Sequence, residues 1–270
     1  MLPGNVKQPV FIVGCGRSGT TIFGTALSCH PQITFLNEAR QLWRSCYPVT
    51  DIWSIRARDS GGKLVLTKDD ANPKSNRKLH RLFRLETLKT KRPVLVEKLP
   101  INNFRLPFIY EIFPDARFIH IFRNGLEVAK SIARQAEEQG WFGSNDYKWL
   151  QLAEYTNRQK ATAGLAQLCE SNYERGLLEW RLSTEAVYRF FQHLPANSFF
   201  EISYDDLVSN PLETIHRVLD FMRLEKSSAV DNFAYHHIAR KSAKAGSAAI
   251  TEKERLLGGE MLSRFIKQRK

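Results

Sequence analysis

Val10-Phe-Ile-Val13 is a short unbroken apolar run, and Gly14-Cys-Gly-Arg-Ser-Gly19 follows it at once. Thr20-Thr-Ile-Phe-Gly-Thr-Ala-Leu-Ser-Cys29 comes next, a helical stretch stopped by His30-Pro31. A run without polar alternation suits a strand buried on both faces, as in a parallel sheet. Proline disfavours helix at the residue before it, which sets the stop. Strand, glycine turn and helix are thus the first unit. Such a unit commits the chain to a right-handed crossover and a parallel neighbour.

Val94-Leu-Val-Glu97, Arg117-Phe-Ile-His-Ile-Phe122 and Ser198-Phe-Phe-Glu-Ile202 read as three further strands. Asn102-Asn103 is placed to cap a helix running to Phe113, and residues 126–138 read as another helix. Asn210-Pro211 offers an N-cap and a first-turn proline for a helix through Phe221-Met222. Thr251-Glu-Lys-Glu254 is a capping box that opens a last helix. Residues 139–196 break the alternation with helical, aromatic-rich sequence, including Trp141, Trp149 and Trp180. They read as a helical insertion covering one end of the sheet near the site. The expected fold class is α/β: a P-loop-like three-layer fold with a central parallel sheet flanked by helices. No repeat, low-complexity tract or Pro/Gly linker divides residues 1–270, so one domain is expected.

With 43% hydrophobic residues and 17 Phe, the chain of 270 residues can build a large core. No apolar run approaches the ~18–20 residues that span a bilayer. The first residues lack the charged head and apolar stretch of a signal peptide. A soluble, cytoplasmic protein is the expectation. Four scattered Cys make no disulfide scaffold, and the absence of CxxC and HxxxH pairs gives a zinc site no support.

The formal net charge is +12, and it is unevenly placed. Residues 56–98 hold 13 basic and 5 acidic side chains, and residues 239–270 hold 9 and 3. A field of this sign attracts an anion without naming it. Nucleic acid needs stacking aromatics among the cations, and between Asn76 and Arg92 there is only Phe83. The basic face from Lys74 to Arg92 is expected to meet solvent, an acidic acceptor or a membrane surface.

A glycine turn between strand and helix points backbone N–H groups at one spot, on the positive end of the helix dipole. Gly14 and Gly19 keep the spacing of GxxxxGK[ST], but Thr20 stands where that pattern has its lysine. The cation has moved inside the loop, to Arg17, and two hydroxyls follow, Thr20 and Thr21. The loop suits a 5′-phosphate better than a magnesium triphosphate. A second constellation, Arg123-Asn-Gly-Leu-Glu-Val-Ala-Lys-Ser131, begins at the end of the third of these strands. Parallel strands bring their C-terminal ends to one edge, so Arg123 emerges beside the loop. An Arg fork with the Ser131 hydroxyl suits a phosphate monoester.

These motifs resemble those of the sulfotransferases that use 3′-phosphoadenosine-5′-phosphosulfate (PAPS), in their bacterial and tyrosylprotein-type branch. GCGRSGTT over 14–21 resembles the family's 5′-phosphosulfate loop, implying cofactor contacts from Gly16, Arg17, Ser18, Gly19, Thr20 and Thr21. RFIHIFRNGLEVAKS over 117–131 resembles its 3′-phosphate motif, implying Arg123 and Ser131. ISYDDLVSNP over 202–211 is similar to a third landmark, whose tyrosine, here Tyr204, touches the cofactor. Arg240 and Lys241 resemble late 3′-phosphate contacts, though the usual RxGxxGxW-like text is absent. Lys98, in Glu97-Lys-Leu-Pro100, stands where the cytosolic branch has a histidine base. The resemblance then gives the base role to Glu38, with Arg17 and Lys98 stabilising the transferred group.

The expected reaction moves a sulfuryl group from PAPS to a hydroxyl, leaving adenosine 3′,5′-bisphosphate, with no metal. The acceptor is open among a small alcohol, a glycolipid, a saccharide and a peptidyl tyrosine. Oligomeric state is not legible. Two other classes compete: a P-loop kinase, which would want a lysine after Gly19 and an acid for magnesium, and a non-catalytic polyanion-binding protein.

Overall fold

The computed structural model describes residues 6–238 and 249–267. Among these residues, five parallel strands lie in the order β2-β3-β1-β4-β5. They are β1 (Val10–Val13), β2 (Ile33–Asn37), β3 (Val94–Lys98), β4 (Arg117–Phe122) and β5 (Phe199–Ser203). The apolar run of β1 is central, paired with β3 through Ile12↔Lys98 and with β4 through Val13↔His120. Its side chains divide between two cores. Phe11 and Val13 enter one, Val10 and Ile12 the other, and all four are buried.

The Val10 face packs on α1 (Thr20–Ser28), α9 (Pro211–Met222) and α10 (Ser228–Phe233), through Phe23, Leu27, Ile215, Leu219 and Val230. The Phe11 face receives α2 (Arg40–Cys46), α3 (Pro73–Thr90), α4 (Leu106–Ile112), α5 (Gly125–Gln139) and α7 (Asn172–Phe191). Phe11, Phe113 and Phe118 are the aromatic centre, with ring centroids 5.6 and 5.9 Å from Phe11. Between α5 and α7 lies α6 (Tyr147–Asn157); α8 (Tyr204–Ser209) follows β5, and α11 (Glu252–Lys267) packs on α7. No helix among the described residues is long and apolar enough to cross a membrane.

Four readings of the sequence change. Ile33–Asn37 is a fifth strand, in register with β3 from Ile33↔Val94 to Asn37↔Lys98. Asn102 and Asn103 cap no helix: both are buried, and α4 begins only at Leu106. Asn210 precedes α9 but makes no side-chain cap bond, although Pro211 opens that helix. Residues 139–196 do more than cover one end, because α7 buries Leu178, Trp180 and Leu182 in the main core. Gly125 admits α7 closely, since a Cβ there would overlap the Trp180 ring.

Alternation along β3 sends Lys98 towards the site and its neighbour Glu97 into the core. Glu97 is fully buried and accepts hydrogen bonds from Trp43 Nε1 (3.1 Å) and Asn102 Nδ2 (3.2 Å). Burial pushes its carboxyl up to about 8, against the Trp43 bond and the Lys98 charge. The folded-state pKa therefore stands above the unfolded value of roughly 4.3. Stability from this group is full below that unfolded value and is lost as pH rises towards about 8. Urea unfolding should show the loss as a slope on the order of a few kcal/mol across that window. Glu97→Gln should flatten the slope; an unchanged slope would assign it to other groups.

Candidate active site

Every strand delivers something to the C-terminal edge of the sheet. The glycine loop follows β1, Glu38 follows β2, Lys98 ends β3, Arg123 follows β4 and Tyr204 follows β5. Gly14 N–H donates to Asn103 Oδ1 (3.0 Å), and Ser18 N–H to Cys15 O (3.1 Å), which closes the turn. Arg17 and Gly19 adopt positive φ, 72° and 92°. The missing Cβ of Gly19 leaves space that the Tyr204 ring fills, and the indole of Trp141 lies as tightly against Gly16. The loop is thus clamped from two sides. Ser18 and Thr20 are buried, whereas Arg17 and Thr21 are exposed at the mouth of α1.

Lys98 is only 1% exposed, and a charge so far from water needs partners. Its Nζ donates to Thr21 Oγ1 (3.0 Å) and pairs with Glu38 Oε1 (2.9 Å). The other oxygen of Glu38 pairs with Arg40 Nη2 at 2.6 Å. The β2–β3 ladder continues past Asn37↔Lys98, because Glu38 N–H donates to Lys98 O (2.7 Å). Burial raises the Glu38 pKa, but the charges and hydrogen bonds of Lys98 and Arg40 together outweigh it and leave the carboxyl below its usual range. Glu38 is therefore ionised at neutral pH.

A second set of contacts ties the loop to β4 and α5. Arg17 Nε donates to Ser131 Oγ (3.0 Å), and Arg123 Nη1 to Arg17 O (3.2 Å). Arg123 also pairs with Glu127 (3.0 Å), and its guanidinium lies 4.2 Å from the Tyr204 ring centroid. Cation–π contact and ion pair fix the fork beside the loop.

Two cavities meet at Arg17. A groove of about 210 Å³ is lined by Arg17, Gly19, Thr20, Thr21, Arg123, Ser131 and Tyr204. Ile22, Val208, His237 and Ile238 complete it. The other cavity, a cleft of about 350 Å³, is lined by Glu38 and Arg40 and walled by Trp53, Trp141 and the Lys148–Glu179 pair. That pair is buried at 2.6 Å, and Glu179 also accepts from Trp141 Nε1 (2.8 Å). It holds the indole against Gly16.

The residues read from the sequence are therefore brought together at Gly16, Arg17, Ser18, Gly19, Thr20, Thr21, Glu38, Lys98, Arg123, Ser131 and Tyr204. Arg240 and Lys241 lie outside the described residues. Of the large aromatic side chains near the site, Trp43, Phe142 and Trp149 are buried, while Trp53 and Trp141 line the cleft. Arg77, Arg81 and Arg84 of α3, on the basic face read from the sequence, line neither cavity. Sequence reasoning missed Asn103, Arg40 and the Lys148–Glu179 pair. Arg40 had a signal, two residues from Glu38; the pair, 31 residues apart, had none.

An open parallel sheet with a phosphate-type loop at its central strand, where the crossovers change direction, places this chain in the α/β class whose ligand crevice lies at a switch point. Within that class the chain belongs to the sulfotransferase family, whose sequence profile matches residues 9–228. It is 23% identical over 235 residues to a protein-tyrosine sulfotransferase of Drosophila melanogaster, covering 84% of this chain and 40% of that protein. It is 26% identical over 250 residues to protein-tyrosine sulfotransferase 1 of Danio rerio, covering 91% and 60%. The chain thus spans about half the length of these relatives. Among solved structures, the sulfotransferase domain of the curacin biosynthetic pathway superposes with a TM-score of 0.57 at 12% identity, over 96% of this chain and 98% of that one. At that identity the likeness is one of fold.

Gly19→Ala combines a positive φ with overlap on Tyr204, and should lower stability in urea by on the order of 1–2 kcal/mol. An unchanged unfolding midpoint would mean that the loop is not clamped.

Proposed function

We propose that the chain transfers the sulfuryl group of PAPS to an acceptor hydroxyl by in-line displacement, with Glu38 as general base. The observation that carries this reading is the position of Lys98 Nζ, bonded to Thr21 on the loop and to Glu38 in the cleft. One buried ammonium then serves both the departing phosphate and the group that takes the arriving proton.

In this reading the acceptor oxygen attacks sulfur, and the bond from sulfur to the 5′-phosphate oxygen breaks. The acceptor's proton passes to Glu38, and the bonding pair leaves on adenosine 3′,5′-bisphosphate. Arg17, Lys98 and the N–H groups of Gly16, Gly19, Thr20 and Thr21 balance the charge that develops. As Lys98 turns to the bridging oxygen it loosens its hold on Glu38, which becomes more basic as the proton arrives. Arg123 and Ser131 hold the 3′-phosphate, with Tyr204 beside them, and so position the reacting end. Fixed cations take the part that magnesium takes with ATP, so no metal is needed. The acceptor classes considered are a small alcohol, a glycolipid, a saccharide and a peptidyl tyrosine, and the names of the relatives favour the last.

Adenosine 3′,5′-bisphosphate should raise the melting temperature, whereas stabilisation by Mg-ATP alone would point to a kinase. Arg123→Ala should cost about tenfold or more in affinity for the bisphosphate and little for adenosine 5′-monophosphate. Equal losses for both nucleotides would remove Arg123 from the 3′ site. Glu38→Gln should lower kcat by on the order of 10²–10⁴. Because Lys98 and Arg40 hold Glu38 below its usual range, the acid limb of kcat/KM should lie below the ordinary glutamate range and vanish in that variant. Turnover and pH profile both unchanged would end the base assignment.

A further inference from the structure

Beside the cleft lies a third cavity, a slot of about 210 Å³ between α2 and the segment 50–54. It shares Arg40, Trp53 and Leu99 with the cleft, so the two are neighbours through one wall. Its sides are largely apolar, from Trp43, Trp53 and Leu99, and Arg105 lies in its lining.

Arg105 is 1% exposed. Its Nε donates to Leu64 O (3.2 Å), and its Nη2 to Thr50 O (2.9 Å) and Lys63 O (2.7 Å). Nη1 is buried and has no hydrogen-bond partner among the described residues. The nearest acid of the slot, Asp51, is occupied otherwise: it accepts from Ser54 Oγ, from the N–H groups of Trp53 and Ser54, and from Arg44. Burial pushes the guanidinium down to about 9, opposed by the charges of Asp51 and Glu97, so it remains a cation at neutral pH. A buried charged donor without an acceptor is costly, and pairing it is correspondingly favourable.

We propose that this slot is a second acceptor subsite, taking an apolar segment that ends in an oxygen acceptor, a carbonyl or carboxylate, for Arg105 Nη1, which is closed off from water and is uncovered as the segment enters. The acceptor is then an elongated molecule. Its hydroxyl stands at Glu38, its apolar part passes Trp53 and Leu99, and its far oxygen meets Arg105. The proposal rests on the reading of Glu38 as the base only for which end of the molecule reacts.

The probes are ω-hydroxy amides and ω-hydroxy acids of increasing chain length, with methyl-terminated alcohols of the same lengths as controls. Affinity is read by calorimetry, with and without adenosine 3′,5′-bisphosphate. At one chain length the amide or acid should bind about tenfold tighter than the alcohol. Arg105→Met should remove that preference and leave affinity for the bisphosphate unchanged. Since Arg105 also ties three carbonyls, Gln41→Trp supplies a second variant: Gln41 lines the slot from an exposed position on α2. The tryptophan should fill the slot and abolish the same preference. Alcohols binding as tightly as amides and acids at every length, or a preference that survives Gln41→Trp, would overturn the proposal. Failure of the bisphosphate to bind would instead count against the nucleotide reading, and the titrations without it still decide the slot.

Discussion

The ammonium of Lys98 is the group on which the site's geometry turns. It is carried to the sheet edge by the last residue of β3 and is almost wholly buried there. An unpaired charge in such a place would cost several kcal/mol or shed its proton. Glu38 and Thr21 supply the pairing, and each comes from a different crossover. Parallel register makes this possible: β2 stays in step with β3 through Asn37, so the next residue, Glu38, arrives beside Lys98. The same alternation turns Glu97 to the opposite face, where it stitches α2 to β3 through Trp43.

Around that ion pair the loop is held by contact more than by its own hydrogen bonds. Tyr204 and Trp141 occupy the spaces that glycine leaves at positions 19 and 16, and Asn103 receives the amide of Gly14. Trp141 is fixed in turn by a buried Lys148–Glu179 pair. Removing one member of such a pair is strongly unfavourable, whatever the intact pair is worth. The helices of residues 139–196 therefore serve twice, as part of the main core through α7 and as the wall that fits the indole to the loop.

What was legible in the sequence follows from local signals. Val10–Val13 is an apolar run next to glycine, Arg117–Phe122 is, past its arginine, a β-branched and aromatic run broken only by His120, and the loop, Arg123 and Ser131 lie at short, fixed separations. Ile33–Asn37 was harder, because a short edge strand with a buried Thr34 has little apolar pattern; its hydroxyl bonds to Thr90 and Arg92 O. Asn102-Asn103 has the composition of a helix cap, yet tertiary demand from Gly14 and Glu97 claims both side chains. Contacts across long separations, Trp141 to Glu179 or Arg105 to the carbonyls of residues 50, 63 and 64, leave no local trace. They exist only once the layers are packed.

The central claim is that one sheet edge grips two separate phosphates of a single nucleotide, with Lys98 and Glu38 at the reacting end. Phosphorus-31 NMR of adenosine 3′,5′-bisphosphate tests it most directly, since the two phosphates give separate resonances. On titration with the protein both resonances should move and saturate together at one equivalent. Movement of the 5′ resonance alone would contradict the account, leaving a simple phosphate cradle and no 3′ site at Arg123 and Ser131.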